Sequence, residues 1–292
     1  MSACFIIKKP AFTAQPPMIT YHHITRALKE LGLEKRFPVI AHIPNTMVEH
    51  TRGGEETVLG ALLAYFDNFT LPAFTMQALI IPEFGPEENA VEYGSARGSN
   101  LNAEIFTPDL VCQGSQSRMG EALRAYPQTY RSTHPVFSFV GLGLDAAMAA
   151  QTADQPYGLV QSLMEMKTWF VLMGGGMASN YALHYAEQQS GRKQFLRWAL
   201  TGKGVVELPA FPGCAEGFHK LEYYLQSILR RTYVDEFLWQ AAPLRESIRI
   251  AVELLHSDPY ALLCNDLNCE RCNLVRRDVR RKIASATRKT RA

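Results

Sequence analysis

No stretch of this 292-residue chain is both long and apolar enough to span a bilayer. Thr168 to Ala186 carries no Asp, Glu, Lys or Arg, yet its three glycines, Ser179, Asn180 and His184 break it as a membrane helix. No secretory leader is expected either, because the apolar run Cys4 to Ile7 is short and ends in Lys8-Lys9-Pro10. The expected setting is therefore cytoplasmic, where six cysteines stay reduced. No internal repeat emerges, which sets solenoids aside. Nor is there an excess of one charge: the net charge is +2. That figure hides an asymmetry, since residues 276–292 hold eight Lys or Arg against one Asp, a local +7, leaving −5 for residues 1–275. The basic end lacks any aromatic residue to stack on bases, so it reads as a solvated tail rather than a nucleic-acid site.

What is present is ordinary for a globular protein: 47% hydrophobic and 20% charged residues, in a chain long enough for a substantial core. Residues 1–19, with Pro10, Pro16 and Pro17, read as an irregular arm. Ile24, Ala27, Leu28 and Leu31 mark an amphipathic helix ending at Gly32. Pro38 to His42 is a buried strand, Val58 to Leu63 a helix, and Thr70 to Phe74 a second strand. This alternation predicts an α/β fold with a mainly parallel or mixed sheet. Residues 76–118 show no periodicity and read as a long irregular loop on the substrate side, whose Glu83, Glu87, Glu88 and Glu92 either face a cationic ligand or are solvated. Further on, Met119 to Ala125 reads as a helix, Val136 to Val140 as a strand, and Arg197 to Leu208 as a strand pair turning at Gly202-Lys203-Gly204. Phe218 to Arg230 and Ser247 to His256 have helical spacing. The domain reading is a single unit over 1–275 followed by a basic tail over 276–292.

The chemistry concentrates between Met173 and Glu187. An apolar strand, Trp169 to Met173, runs into Gly174-Gly175-Gly176, and Ser179-Asn180 stands where a helix cap belongs. His184 and Glu187, three apart, share one helix face at a strand end, the place where α/β sheets bind ligands. A carboxylate beside an imidazole fixes its tautomer and raises its basicity, so the pair is a general-base candidate; the alternative is a histidine packed under a loop. Arg131-Ser-Thr-His-Pro135 is a polar turn whose Arg131 and Ser132 could hold a phosphate. Cys264, Cys269 and Cys272, with Cys214 upstream, either form a tetrahedral structural zinc site or are half-buried reduced thiols; a second Cys-x2-Cys knuckle is lacking.

In order, His42…Gly53-Gly54, Phe106-Thr-Pro108, Gly120-Glu121, Arg131-Ser-Thr-His-Pro135, Tyr157-Gly158, Leu172-Met-Gly174, His184-Tyr-Ala-Glu187, Cys214-Ala-Glu-Gly-Phe218 and Cys269-Glu-Arg-Cys272 resemble the aminoglycoside 3-N-acetyltransferase family, the antibiotic acetyltransferases unrelated to the GNAT fold. The resemblance runs from about Ile24 to Cys272. It implies a three-layer α/β fold with helices on both sheet faces. It also implies acetyl transfer from acetyl-CoA to an amine of an aminoglycoside or other natural product, directly within a ternary complex. On that resemblance His184 is the general base, and Glu187 orients it or binds the amine. His42, Asn45, Thr46, Arg131, Ser132 and His134 match segments along the CoA channel, with His134 alternatively tying its turn to the sheet.

Departures from the family pattern set the second reading. Two small hydroxyl residues usually follow the strand-end histidine; here Ile43 and Pro44 do, and Pro44 has no N–H. Thr107 replaces an aspartate, Tyr181 a threonine, and Pro209 to Pro212 stand where acidic residues precede Cys214 in the apramycin-type members. These losses point to a less cationic amine, or to an inactive relative kept as a ligand- or partner-binding scaffold. The expected partner is a small-molecule amine, with no membrane and no nucleic acid; a homodimer is left open.

Overall fold

The computed structural model describes residues 18–95 and 97–289, so most of the proline-rich arm and the last three residues of the basic stretch lie outside it. Its apolar runs become β1 (Val39–His42), β2 (Phe69–Pro72), β3 (Leu79–Ile80), β4 (Thr129–Arg131), β5 (Phe139–Leu142), β6 (Trp169–Met173), β7 (Phe195–Thr201), β8 (Gly204–Phe211), β9 (Arg230–Val234) and β10 (Phe237–Pro243). The helices are α1 (Tyr21–Glu30), α2 (Asn45–Glu49), α3 (Gly54–Tyr65), α4 (Arg97–Asn100), α5 (Ser117–Arg124), α6 (Asp145–Ala149), α7 (Gly158–Met164), α8 (Leu183–Gln189), α9 (Leu221–Tyr224), α10 (Leu244–Ser257) and α11 (Glu270–Lys289). None is long and apolar enough to cross a membrane.

Seven strands form one sheet in the order β4-β5-β2-β1-β6-β10-β9. β2, β1 and β6 run parallel at its centre, and antiparallel strands flank them. The sheet is mixed because β5 and β10 follow their edge partners β4 and β9 directly and pair antiparallel with β2 and β6. Side chains alternate across it. Val39 and Ala41 of β1, with Val171 and Met173 of β6, face one core shared with α1, α3 and α5, which supply Leu28, Val58 and Leu123. Ile40, Phe170 and Leu172 face the other core, with Leu163, Leu183 and Ala251 of α7, α8 and α10. A central strand buried on both faces has to be apolar throughout, which is why these segments read as unbroken hydrophobic runs. The three-layer expectation holds. A second, antiparallel sheet, β3-β7-β8, lies against the second core through Phe195, Ala199 and Leu208.

Four local expectations are revised. The stretch from Phe218 to Arg230 is not one helix: a 3-10 turn, Glu216–Lys220, leads into the four residues of α9, and Arg230 already belongs to β9. Arg230 is drawn into that edge strand by its ladder with Ala241 and by stacking 4.4 Å over Trp169. The strand placed at Val136 begins at Phe139, because His134 Nδ1 accepts the N–H groups of Val136 and Phe137 and so removes them from the ladder. Ser179-Asn180 does not cap α8 directly; Met177–Ser179 forms a 3-10 turn and Asn180 Oδ1 accepts Ala182 N–H before the helix starts. Finally, the basic stretch is no separate tail as far as Lys289: it continues α11, whose Cys272, Val275 and Val279, spaced three and four apart, are buried in the second core.

Candidate active site

β2, β1 and β6 end at the same edge of the sheet, and β1 lies between a neighbour reached over one face and a neighbour reached over the other. Such a switch point opens a crevice outside the carboxyl ends of the strands. Here it is a cleft of about 480 Å³, floored by Pro72, Phe74, Phe137 and Tyr181, with His184 opening onto it. Gly174 makes the exit from β6. Its φ of +91° lies in the left-handed region, and a Cβ there would come within 2.6 Å of the Phe237 ring. The chain then turns through Met177–Ser179 and delivers α8 with His184 on its inner face.

His184 and Glu187 are both almost fully buried, at 5% and 3% exposure. Nδ1–H of His184 donates to Glu187 Oε2 at 2.6 Å, and Arg192 Nη1–H donates to Oε1 at 3.0 Å. Burial is the largest influence on the Glu187 carboxyl and opposes its charge. The hydrogen bond and charge of His184, with Arg192, outweigh it and hold the group below the ordinary carboxylate range. A carboxylate only accepts, so Nδ1 carries the proton, and in the neutral form of the ring the lone pair lies on Nε2. Arg192 is fixed in turn by the carbonyls of Pro259 and Ala261, at 2.9 and 2.5 Å. Each Glu187 oxygen is thus engaged, Oε2 by His184 and Oε1 by Arg192, in a carboxylate that is almost fully buried. Phe218 and Tyr181 flank the imidazole, their ring centroids 4.7 and 6.0 Å away. Tyr181, where the family pattern has threonine, thus serves as part of an apolar wall with Phe137 and Phe139.

One lip of the cleft is the loop from Gln113 to Ser117 at the start of α5. Asn45 builds it: its backbone N–H donates to Ser115 O, its side-chain amide to Gly114 O and Ser117 Oγ, and its Oδ1 accepts Arg118 N–H. His42, at the end of β1, donates through Nδ1 to Gln116 Oε1 at 3.2 Å, and among the described residues its buried Nε2 has no partner. Burial, partly offset by the Gln116 bond, lowers the His42 pKa to about 4 and keeps the ring neutral. Both residues therefore reach the cleft indirectly, by setting this loop. Thr46 is exposed on α2 and does not line the cleft. Gly120 lets α5 lie against the sheet, since a Cβ there would sit 2.3 Å from Pro72 O.

Arg131 and Ser132, expected at a phosphate, are committed to the protein instead. Arg131 donates to Ser138 Oγ and to the carbonyls of Pro108, Leu110 and Ala73. Ser132 Oγ donates to Gln151 Oε1 and accepts Phe139 N–H. His134 accepts two backbone N–H groups of its own turn, and burial lowers its pKa to about 3. A guanidinium that satisfies four acceptors is a strut, and five residues of sequence do not distinguish a strut from a phosphate clamp.

The other lip comprises Pro212, Gly213, Glu216 and Arg271. Beside it the Sγ atoms of Cys214, Cys264, Cys269 and Cys272 all lie within 4.8 Å of one another. Burial raises Cys214 to about 11 and raises Cys272 further. Cys269 is lowered instead: burial works against it but is outweighed by donors from the Cys272 backbone and the other three thiols. Arg192, the Gln113–Ser117 loop, Glu216 and Arg271 were not singled out as site residues from the sequence. Arg192 follows a helix end, where a cation usually just complements the dipole, and the loop's glutamines and serines carry no spacing signal.

The sequence profile described as aminoglycoside 3-N-acetyltransferase matches residues 40–256. Aminoglycoside N(3)-acetyltransferase IX of Micromonospora chalcea is 29% identical over 180 residues, 58% of this chain and 62% of that protein, so the matched part spans less than two thirds of this relative. The crystal structure of the apoenzyme of aminoglycoside acetyltransferase AAC(3)-IVa superposes with a TM-score of 0.73 at 18% identity, over 90% of this chain and 99% of the other. The structure titled AAC-IIIb binary with CoASH gives 0.64 at 18% identity, over 82% and 97%. At such identities the superpositions establish the shared fold.

Proposed function

The chain belongs to the aminoglycoside 3-N-acetyltransferase family, and from that premise we propose that it transfers an acetyl group from acetyl-CoA to an amine of a small molecule, with His184 as general base. The observation that carries the reading is the 2.6 Å contact between Glu187 and Nδ1 of His184, a residue of the cleft lining, which leaves Nε2 as the candidate base. The amine nitrogen attacks the thioester carbonyl carbon as its proton passes to Nε2. The tetrahedral intermediate then expels the CoA sulfur, which takes up that proton, so the products are the acetamide and CoA thiol and the imidazole is regenerated. Glu187 stabilises the transient imidazolium, and Arg192 keeps the carboxylate charged. The Gln113–Ser117 loop, with hydroxyl and amide groups at the first turn of α5, suits the thioester end of acetyl-CoA. A relative bound to CoASH and others bound to apramycin and sisomicin support this class of substrates.

The four thiols are a separate element of the reading: they bind a structural Zn2+. Zinc–sulfur bonds of about 2.3 Å place tetrahedral sulfurs about 3.8 Å apart, a small contraction of the cluster observed here. Bound there, the ion would tie the loop after β8 to the start of α11.

The test is calorimetric titration of the reduced protein with acetyl-CoA and CoA, then an amine screen for CoA release, with His184→Ala as control. Micromolar binding and release that His184→Ala abolishes without unfolding support the transferase. A second reading, an inactive binding scaffold, is favoured by Pro44, which offers no N–H beside the strand-end histidine, and by the internal engagement of Arg131 and Ser132. Absence of binding up to about millimolar, weaker than about −4 kcal/mol, would move the conclusion to that reading.

A further inference from the structure

Besides His184 and the phenol of Tyr181, which burial keeps protonated, the ionisable side chains on the cleft lining are Glu216 and Arg271. They stand on the same lip, Glu216 two residues beyond Cys214 and Arg271 between Cys269 and Cys272, so the thiol cluster fixes the backbone under both. Among the described residues neither takes part in an ion pair. Arg271 donates once, to Gly213 O at 3.2 Å, and its guanidinium lies 5.9 Å from the centre of the Phe211 ring. The rest of its donor fork is uncommitted. The acids of the irregular 76–118 segment do not compensate: Glu83, Glu87, Glu88 and Glu92 are absent from the lining, and Glu88 pairs with Arg281. A polycation entering this cleft would meet one carboxylate and one fixed guanidinium, a poor match for several ammonium groups.

Resting on the transferase reading, we propose that the acceptor is an amine that also carries an oxyanion, a carboxylate or a phosphate, with Arg271 binding the oxyanion and Glu216 drawing in the amine end. Planar guanidinium donors match both oxyanions in a paired, in-plane geometry. Arg271 is a specificity residue in this reading, distinct from the base.

The experiment uses the full chain and primary amines prepared both as free carboxylates and as methyl esters. CoA and dephospho-CoA affinities are measured by calorimetry alongside turnover. The expected result is a preference of the wild type for the acid form of about tenfold or more in kcat/KM. Arg271→Gln should erase it while the CoA Kd stays within about twofold, and Arg271→Lys, which keeps the charge, should restore part of it. Retention of the preference in Arg271→Gln, or a wild-type preference for esters or polyamines, overturns the proposal. If Arg271→Gln weakens CoA but not dephospho-CoA, the oxyanion is a phosphate of CoA and the acceptor assignment is overturned. Failure of the transferase reading looks different: the wild type neither binds CoA nor releases it with any amine. Direct calorimetry of the carboxylate amine on the wild type and Arg271→Gln then decides the role of Arg271 by itself, since equal binding overturns it.

Discussion

Glu187→Gln changes almost nothing in shape and two things in chemistry. The carboxylate offers one oxygen to His184 Nδ1–H at 2.6 Å and the other to Arg192 at 3.0 Å. An amide has a single oxygen and must turn its NH2 toward one of them. Facing His184, the NH2 needs an acceptor, so the ring proton moves to Nε2 and the lone pair toward the cleft is lost. Facing Arg192, it sets donor against donor and leaves a buried guanidinium without a counter-charge. Arg192 is already held by Pro259 and Ala261, so the first arrangement relieves more of the conflict. Loss of a positioned base costs about 10²–10⁴ in the chemical step, or about 3–5 kcal/mol of barrier at roughly 1.4 kcal/mol per decade. Removing one charge of a buried pair costs about 3–5 kcal/mol of stability. Single-turnover CoA release, CoA calorimetry and urea unfolding on one preparation separate the two effects. The expected outcome is at least a hundredfold slower chemical step, an unchanged CoA Kd and a lower unfolding midpoint. A folded variant that keeps more than about a tenth of the rate would refute the tautomer argument.

Acid should unfold the protein early. His42 and His134 titrate at about 4 and about 3 in the fold, below the unfolded value of about 6.5, so their contribution is complete above that pH and is lost as pH falls toward 4. By pH 5 the loss is about 2 kcal/mol for each, and equal urea midpoints at pH 7 and pH 5 would contradict it. Arg131→Lys leaves several carbonyls among those of Pro108, Leu110 and Ala73 short of donors, at about 1–3 kcal/mol for each buried group; the expectation is a marked fall in melting temperature with no change in CoA affinity. Cys272→Ser, or a strong chelator, should bring zinc below about 0.1 per chain and raise the acceptor KM more than the CoA Kd; a purified wild type with no metal removes the premise.

Much of the frame was legible because it depends on period and length. Val39–His42, Trp169–Met173 and the helices read from Ile24, Val58 and Ser247 follow patterns that burial on one or two faces imposes directly. The His184–Glu187 pair was legible for the same reason, since a spacing of three on a helix dictates proximity. Residues whose role depends on distant chain were not. Arg131 looks like an anion ligand until Pro108 and Ala73, from two other segments, arrive at its guanidinium. Asn45 and His42 were expected along the CoA channel; in the fold they act on Gly114 to Ser117, some 70 residues away. The helix expected at Phe218 failed because Arg230 is claimed by an edge strand, a competition that local spacing does not register.

The two lips of the cleft are rooted in different hydrophobic cores. Cys112 and Met119, on either side of the Gln113–Ser117 loop, belong to the core on one face of the sheet, whereas Phe211 and Phe218, bracketing Glu216, belong to the core on the other. A packing change in one core therefore moves one lip and leaves the second in place. On the proposed reading, such an arrangement would let the side facing the acceptor change while the side suited to the acyl donor keeps its packing. Directed evolution for a new acceptor would accordingly gather its substitutions around Phe211, Phe218 and α11, and spare the packing beneath α5.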